Sequence, residues 1–549
     1  MKSEHRGIVA IGLSALVLIG WFTFFQPKPD PRIVEEKTPA PSPQKETQSQ
    51  AQGEASVVRK EVEIAIQTAT IRNDLYTAEV SNDGGVITSW KVHGHREAPD
   101  STSSPLDLIS ADPSLDLQFF DANFSFPKIP RYKILAEDDA SITYQWRSPE
   151  VELTKKLEFR PDRYVVDVTI SLHNLTDRTL QERASLAVHG ATISGGATGF
   201  LSFLKPPPSP TSEKHPTLYR DGKVERFQNT MNLSEMNEAP GALYWSGLED
   251  RYFISSVIPR VQGTGLSAHY GASPFPEKGE KARKLFSAMT LAKKILPPKA
   301  IEEHAFSVYL GPKEINQLKT VGARLDEAID HGWFAIVAVP ILQLLKFFYG
   351  VVHNYGVAII LLTVFIKLLL HPISKKSMKS MKAMQELQPK LKELQEKYKN
   401  DKMRLNQETM LLFKRHKVNP AGGCLPMLLQ LPIYVALYKV LWNSVELYHA
   451  PFFWFYKDLS APDPYFIGPI LLGIFMVLQQ KLMPSASADP MQKKMMMLMP
   501  IMFSAFMLFL PSGLVIYILV NTVMSVLQQW MYNHDIRFRD LMRGRIKKA

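Results

Sequence analysis

The chain has 549 residues, with 64 Lys and Arg against 53 Asp and Glu and a net charge of +11. It is too long for one ordinary domain, and its single cysteine, Cys424, excludes an intramolecular disulfide. No GxxxxGK(S/T), GxGxxG or HExxH pattern occurs, so nothing points to nucleotide or metal chemistry and no cofactor is expected.

Met1–Gly7 is short and basic, and Ile8–Phe25 is apolar, with only Ser14 and Thr23 mildly polar. The run is longer than a signal-peptide core and ends in Phe24-Phe25-Gln26-Pro27 rather than in a small-x-small site. It reads as an uncleaved anchor over 1–26 with a cytoplasmic N-terminus; a cleaved signal peptide is the alternative. Residues 27–56 are rich in Pro, Gln, Lys, Glu and Ser, cannot bury a core, and read as a flexible linker.

From 57 to 323 short alternating runs lie between turn residues. Tyr76–Val80, Asn82-Asp83-Gly84-Gly85 and Val86–Trp90 read as a hairpin. Ile142, Tyr144 and Trp146 alternate, as do Tyr164, Val166, Val168, Ile170 and Leu172. This is an all-β domain, with Lys205–Pro210 as a surface loop. Its aromatic residues either line a sugar cleft or form core and rim. Asn174-Leu175-Thr176 matches a glycosylation sequon, a pattern too common to weigh.

Residues 324–348 turn helical. The apolar stretch His331–Lys346 is interrupted by Pro340, and Trp333 within it and Phe347, Phe348 and Tyr349 after it are belt-type aromatics. It reads as an amphipathic helix on the outer membrane face, with a kinked span as the alternative. Five spans follow within 349–532: Tyr349–Leu370, Cys424–Trp442, Phe466–Gln480, Met495–Leu510 and Leu514–Met531. Pro511-Ser512-Gly513 joins the last two as a tight turn. The basic tail covers 533–549.

Charge sets the expected orientation. Segment 374–417 carries thirteen Lys and Arg against five Asp and Glu, a net +8. The tail is +4, whereas the loop 443–465 is −2. The first two belong in the cytoplasm and the third, with the β-domain, outside.

Within 374–417, Met378, Met381, Met384, Leu387, Leu391, Leu394 and Tyr398 fall at helical spacing, and Leu405, Leu412 and Phe413 mark a second helix. The segment reads as a helical hairpin, interrupted at Lys399-Asn400-Asp401 and kinked or restarted at Pro389. It either orients the protein or docks ribosomal RNA, anionic lipid or a nascent chain. Met495, Met496, Met497, Met499, Met502 and Met507 crowd one span, as adaptable apolar surface or as ordinary lipid contact.

Lys367 is the one charge in its span. It is either functional or snorkels past His371-Pro372 to the interface. Thr363 lies at i−4 on the same face. Gln430, Gln479, Gln480, Ser504, Gln528 and Gln529 add polar groups to other spans, and Tyr517, Asn521 and Ser525 form one stripe at i, i+4 and i+8. These groups either hydrogen-bond between helices or line a wet cavity around the cation. The spans hold no Asp or Glu, which argues against an ion-coupled transporter. A membrane-anchored sugar-binding protein would need an acid/base pair that the sequence does not locate.

The stretch Asn419-Pro420-Ala421-Gly422-Gly423-Cys424-Leu425-Pro426-Met427-Leu428-Leu429-Gln430-Leu431-Pro432-Ile433 resembles the YidC/Oxa/Alb membrane protein insertases. So do Gln388-Pro389-Lys390, Leu459–Tyr465, Asp489-Pro490-Met491-Gln492 and Pro511-Ser512-Gly513-Leu514; the large β-domain is the Gram-negative form. The resemblance implies an α+β membrane protein with a signal-anchor helix, a periplasmic β-super-sandwich related to sugar-binding folds, and a five-helix core with a cytoplasmic hairpin, six transmembrane helices in all. It implies an insertase and chaperone without covalent chemistry in the bacterial inner membrane, both termini cytoplasmic. Its groove is open to cytoplasm and lipid and closed outside. The family's groove cation, usually arginine, is Lys367 here, and Thr363 and Tyr517 match groove positions; Gln430, Asn521 and Ser525 join them as polar candidates. The apolar slide for substrate helices is Met427, Leu431, Met502 and Phe506. Implied partners are nascent membrane proteins, Sec translocon components, the ribosome and signal recognition pathway, and membrane lipids, but no DNA.

Overall fold

The computed structural model describes residues 64–534 apart from 101, 110, 194–210, 262–264, 331–334, 400, 417, 419–424, 454–455 and 483–489, with backbone alone at 381, 385, 402, 425–429 and 490–496. The anchor, the linker, the Lys205–Pro210 loop, the Asn419–Cys424 motif and the tail beyond His534 lie outside the described residues.

Among the described residues the β-domain holds three antiparallel sheets. A four-stranded sheet orders Thr68–Arg72, Tyr76–Ser81, Val86–Arg96 and Pro105–Asp107. Tyr76–Ser81 pairs with Val86–Arg96 as the hairpin pattern requires, and Gly84 and Gly85 take the left-handed φ values of 84° and 60° that this turn needs. A nine-stranded sheet runs in the order Lys223–Arg226, His215–Arg220, Leu243–Glu249, Phe253–Pro259, Ile301–Pro312, Val165–Asn174, Val151–Phe159, Ser141–Arg147 and Lys133–Glu137. A six-stranded sheet is built on the long strand Leu180–Ile193, which pairs with Ala282–Thr290, Lys294–Leu296 and Asp116–Phe120. The two larger sheets face each other, and Ser246 and Ser287 meet between them at 2.7 Å.

The alternation foreseen for Val166–Leu172 is present, but Val165 and Asp167 are also buried. The strand lies between two others in the widest sheet, and Asp167 accepts from Arg160 and Ser307. Tyr76, Trp90, Tyr132, Tyr144, Trp245 and Tyr309 are wholly buried, so these aromatics are core. Asn174 of the sequon is also fully buried, and its Nδ2 donates to the carbonyls of Arg178, Leu296 and Pro297.

Helices follow: α1 (Ile315–Val321), α2 (Ala335–Val352), α3 (Tyr355–Glu386), α4 (Gln388–Lys397), α5 (Lys402–Arg415), α6 (Leu425–Asn443), α7 (Ile467–Leu482), α8 (Pro490–Phe506) and α9 (Ser512–Asn533). Three expectations change. The apolar run from Tyr349 is not one helix: Tyr349–Val352 ends α2, His353 takes a left-handed φ of 52°, and Asn354 caps α3 by accepting from Val357 N. Nor does α3 stop at Leu370. It is 32 residues long and passes through Pro372 into the basic segment as far as Glu386, so the hairpin comprises the end of α3 with α4 and α5. Helix α2 runs unbroken through Pro340 and is 18 residues long, apolar and long enough to cross a membrane. Asp330, just before it, pairs with Lys439 and Asn443, and Lys346 near its end pairs with Glu446 and Glu314. Asp330 ahead of α2 and Lys346 in its second half therefore both meet the end of α6 or the turn just beyond it.

Other readings hold. The helix restarts at Gln388, one residue after the break at Leu387, with Pro389 in its first turn, and Asp401 caps α5 by accepting from Arg404 N. Helices α3, α6 and α9 share one apolar core with Ile359, Leu362, Leu437, Val440, Leu514 and Ile518 buried. Ile470, Ile474, Leu498, Met499 and Ile501 on α7 and α8 stay exposed, as a lipid-facing surface requires.

Candidate functional site

Three helices each bring a polar stripe to the same place. On α3, Thr363 and Lys367 are one turn apart, as are Gln430 and Tyr434 on α6. On α9, Tyr517, Asn521 and Ser525 span two turns. Helical periodicity puts each set on one face, and the apolar core between α3, α6 and α9 turns the faces together.

The contacts form a chain. Lys367 Nζ donates to Ser525 Oγ at 2.7 Å, and Ser525 Oγ donates to the Asn521 carbonyl at 2.8 Å. Gln430 Nε2 donates to Asn521 Oδ1 at 2.8 Å, and Asn521 Nδ2 donates to the Tyr434 hydroxyl. Tyr434 stands edge-on to Tyr517, with ring centroids 5.7 Å apart. The Tyr517 hydroxyl, beside Gln430, is buried and makes no hydrogen bond of normal geometry. Thr363 Oγ1 donates back to the Ile359 carbonyl.

Lys367 is only 6% exposed. Its amine turns onto α9 instead of running along its own helix toward His371. Among the described residues no carboxylate pairs with it. A buried ammonium without a counter-ion is costly, and neutral dipoles offset only part of that cost. Ser525 accepts one of its three N–H donors. The arrangement therefore favours an anion or a set of carbonyl oxygens brought to it.

Lys367, Gln430, Tyr517, Asn521 and Ser525 are thus brought together, whereas Thr363, buried one turn from Lys367, bonds to its own helix. Tyr434 was not foreseen. A tyrosine in an apolar span reads as core, although its i+4 relation to Gln430 is the pattern that marks the other stripes. The apolar slide residues are not part of this cluster. Leu431 on α6 and Met502 and Phe506 on α8 are exposed, and Met427 lies where only backbone is described.

The start of α9 is strapped by the Leu459–Tyr465 motif. Ser512 N donates to the Ala461 carbonyl, Gly513 N to the Leu459 carbonyl, and Ser512 Oγ to the Asp458 carbonyl. Gly513 leaves room for this crossing; a Cβ there would sit 3.2 Å from the Leu459 carbonyl oxygen. Asp463, 1% exposed, accepts from Tyr456 Oη, Tyr465 N and Gly468 N, and so fixes the start of α7. The tight turn expected at 511–513 is one half of this strap.

These features define a membrane protein with a periplasmic all-β domain and a helical core. Residues 68–344 match the model of the YidC periplasmic domain, and residues 347–539 match that of the 60Kd inner membrane protein family. The chain is similar to the membrane protein insertase YidC of Syntrophus aciditrophicus, at 35% identity over 96% of this chain and 99% of that protein. It is likewise similar to that of Geobacter metallireducens, at 36% identity over 97% and 99%. A crystal structure of an active YidC insertase with its first transmembrane domain resolved aligns over 86% of this chain and 93% of its own, at 17% identity and a TM-score of 0.36. The chain belongs to the YidC family of membrane protein insertases.

Proposed function

We propose that this protein inserts newly made membrane proteins into the bacterial inner membrane, and that the cluster around Lys367 receives the polar segment that must cross. The observation that carries this reading is the buried cation, without a carboxylate partner among the described residues, held among hydrogen-bonding side chains of three helices. A polar segment in hydrocarbon loses hydration at several kcal/mol per unpaired group. The cluster offers it partners partway across. The substrate's apolar helix then gains about 0.8 kcal/mol per buried CH₂ in lipid, which drives release without a nucleotide. Lys367 supplies attraction as a point charge, without arginine's planar fork. Leu431, Met502 and Phe506, together with Met427, serve as the apolar exit surface, and the exposure of the first three supports that role.

The orientation follows the charge bias, with the hairpin, the tail and the N-terminus cytoplasmic and the anchor as a sixth span. Helix α2 lies at the outer interface, a reading supported by the contacts of Asp330, ahead of it, and of Lys346, in its second half, with the end of α6 and the turn beyond it. The hairpin is a landing surface. Met403, Met410 and Leu411 on α5 stay exposed beside its basic residues, which suits lipid headgroups, a nascent chain or the ribosome and signal recognition pathway. Work with Sec translocon components is part of the same proposal. The domains follow the bounds 1–26, 27–56, 57–323, 324–348, 349–532 and 533–549, with the end of the interfacial helix moved from 348 to Val352.

Site-specific photo-cross-linking to a stalled single-span substrate tests this. Probes at Gln430 and Tyr517 are expected to capture its polar outer segment, and probes at Leu431 and Met502 its apolar helix. Capture of the polar segment only by lipid-facing probes on α7 contradicts the reading.

A further inference from the structure

One end of the nine-stranded sheet carries a cavity of about 390 Å³, within the range of small-molecule sites. The turn between the strands Val151–Phe159 and Val165–Asn174 supplies Arg160, Asp162 and Arg163. The adjoining strands give Asp167 and Ser307, and the last residue of α1, Val321, adds an apolar wall. Asp167 is buried and accepts from Arg160 Nε at 2.7 Å and from Ser307 Oγ at 2.6 Å, so Arg160 is the structural partner of this carboxylate. The turn itself is pinned. Arg160 N donates to the Val165 carbonyl, Val165 N to the Arg163 carbonyl, and Tyr76 Oη to the Arg160 carbonyl. Two further guanidiniums are less engaged. Among the described residues, Arg163 pairs with its exposed chain neighbour Asp162, and Arg260 stands 3.8 Å from Asp167, beyond hydrogen-bond distance, with half of its side chain exposed.

Three guanidiniums thus meet two carboxylates, an excess of one positive charge beside a preformed cavity. Such a site favours a monoanion. Arginine forks match the oxygens of a phosphate. A phosphate monoester, with close to two negative charges, is repelled by Asp162 and Asp167, whereas a phosphodiester carries the single charge that balances the site. The cavity is also larger than a bare carboxylate fills, and the carbons of a glycerophosphate fit against Val321. A source lies close by. Glu314, just ahead of α1, meets Lys346 of α2 at 3.2 Å. Helix α1 has seven residues and is about 10 Å long, so Val321 lies within about 10 Å of that contact. We propose that this cavity is a phosphodiester-binding site, with the headgroups of outer-leaflet phospholipids within its reach. The membrane source rests on the placement of α2 given above; the binding chemistry does not.

The test uses the full-length chain in nonionic detergent, in a Cys424→Ser background, with a bimane fluorophore on Thr320→Cys at the exposed end of α1. It is titrated with dioctanoyl phosphatidylglycerol, with glycerophosphoglycerol (the same diester without acyl chains), with sn-glycerol 3-phosphate and with dioctanoylglycerol, which has no phosphate. Both diesters should change the emission saturably, the monoester should bind more weakly, and dioctanoylglycerol should give no saturable change. Arg163→Gln with Arg260→Gln removes two charge-assisted donors and should raise the diester midpoint at least about tenfold. Arg163→Lys with Arg260→Lys keeps the charge without the fork and should fall between. Arg160 is left in place because it holds the buried Asp167. An arginine-dependent response to phosphatidylglycerol upholds the site with the membrane as its source. An arginine-dependent response to glycerophosphoglycerol alone upholds it with a soluble diester instead. The proposal is overturned by no response to either diester, by a response that the glutamine variant leaves unchanged, by an equal response to dioctanoylglycerol, or by tighter binding of the monoester.

Discussion

Replacing Asp463 tests whether the outer strap is a structural lock. Its carboxylate accepts from Gly468 N at 2.6 Å, Tyr456 Oη at 2.7 Å and Tyr465 N at 3.0 Å while only 1% exposed. Asp463→Ala removes a helix cap, about 1 kcal/mol, and the acceptor of a buried hydroxyl, about 2 kcal/mol. The expected loss is about 3 kcal/mol, with Asp463→Asn near 1 because one acceptor oxygen survives. At roughly 3 °C per kcal/mol for a unit of this size, Asp463→Ala should lower the midpoint of thermal protease sensitivity by about 9 °C. The measurement is pulse proteolysis of the detergent-solubilised chain along a temperature series. A shift of Asp463→Ala below about 2 °C would refute the reasoning, since it would mean that α7 starts equally well without the cap.

Three further outcomes follow from the same contacts. A Cβ at Gly356 would lie 2.0 Å from the Phe452 ring, so Gly356→Ala should destabilise the start of α3 by about 2 kcal/mol or more; combining it with Phe452→Leu should cost less than the sum, and strict additivity in the cycle would count against the clash. Asn174→Ala strips the donor from three carbonyls and should cost the β-domain about 2–3 kcal/mol, read as earlier cleavage within that domain; unchanged cleavage would place Asn174 outside the core. Burial lowers the Lys155 ammonium to about 7, against a smaller upward pull from Asp116. Above pH 7 the unfolded chain holds a proton there that the folded chain does not, so β-domain stability should rise between about pH 7 and 10.5, by at most about 1.4 kcal/mol per pH unit. Lys155→Met should remove that slope, and an identical slope in the variant would exclude Lys155 as its source.

Periodicity made the polar stripes legible. Thr363 with Lys367, and Tyr517 with Asn521 and Ser525, are each separated by one turn, and a membrane helix forces such groups onto partners. The partners themselves, and Tyr434 among them, depend on which helices pack together, which local spacing does not contain. Turn chemistry exposed the Asn82–Gly85 hairpin, the Pro389 restart and the Asp401 break. The break at His353-Asn354 was hidden because apolar residues continue on both sides and the capping signal is one asparagine. The strap between Leu459–Asp463 and Ser512-Gly513, and the seat of Tyr448 in the β-domain, where its hydroxyl donates to the Arg96 carbonyl, join residues roughly fifty and several hundred positions apart. A tyrosine in an outer loop reads as a membrane-belt residue until the surface that covers it is seen.

The central claim is that the Lys367 charge attracts the crossing segment. Its most direct test is protease protection of a small single-span protein with an acidic outer segment, in cells depleted of their own insertase and supplied with this chain. Wild type and Lys367→Arg should protect the substrate, and Lys367→Ala should not, at equal membrane levels of all three. Full protection by Lys367→Ala would contradict the claim and leave the lysine as a structural member of the helix core.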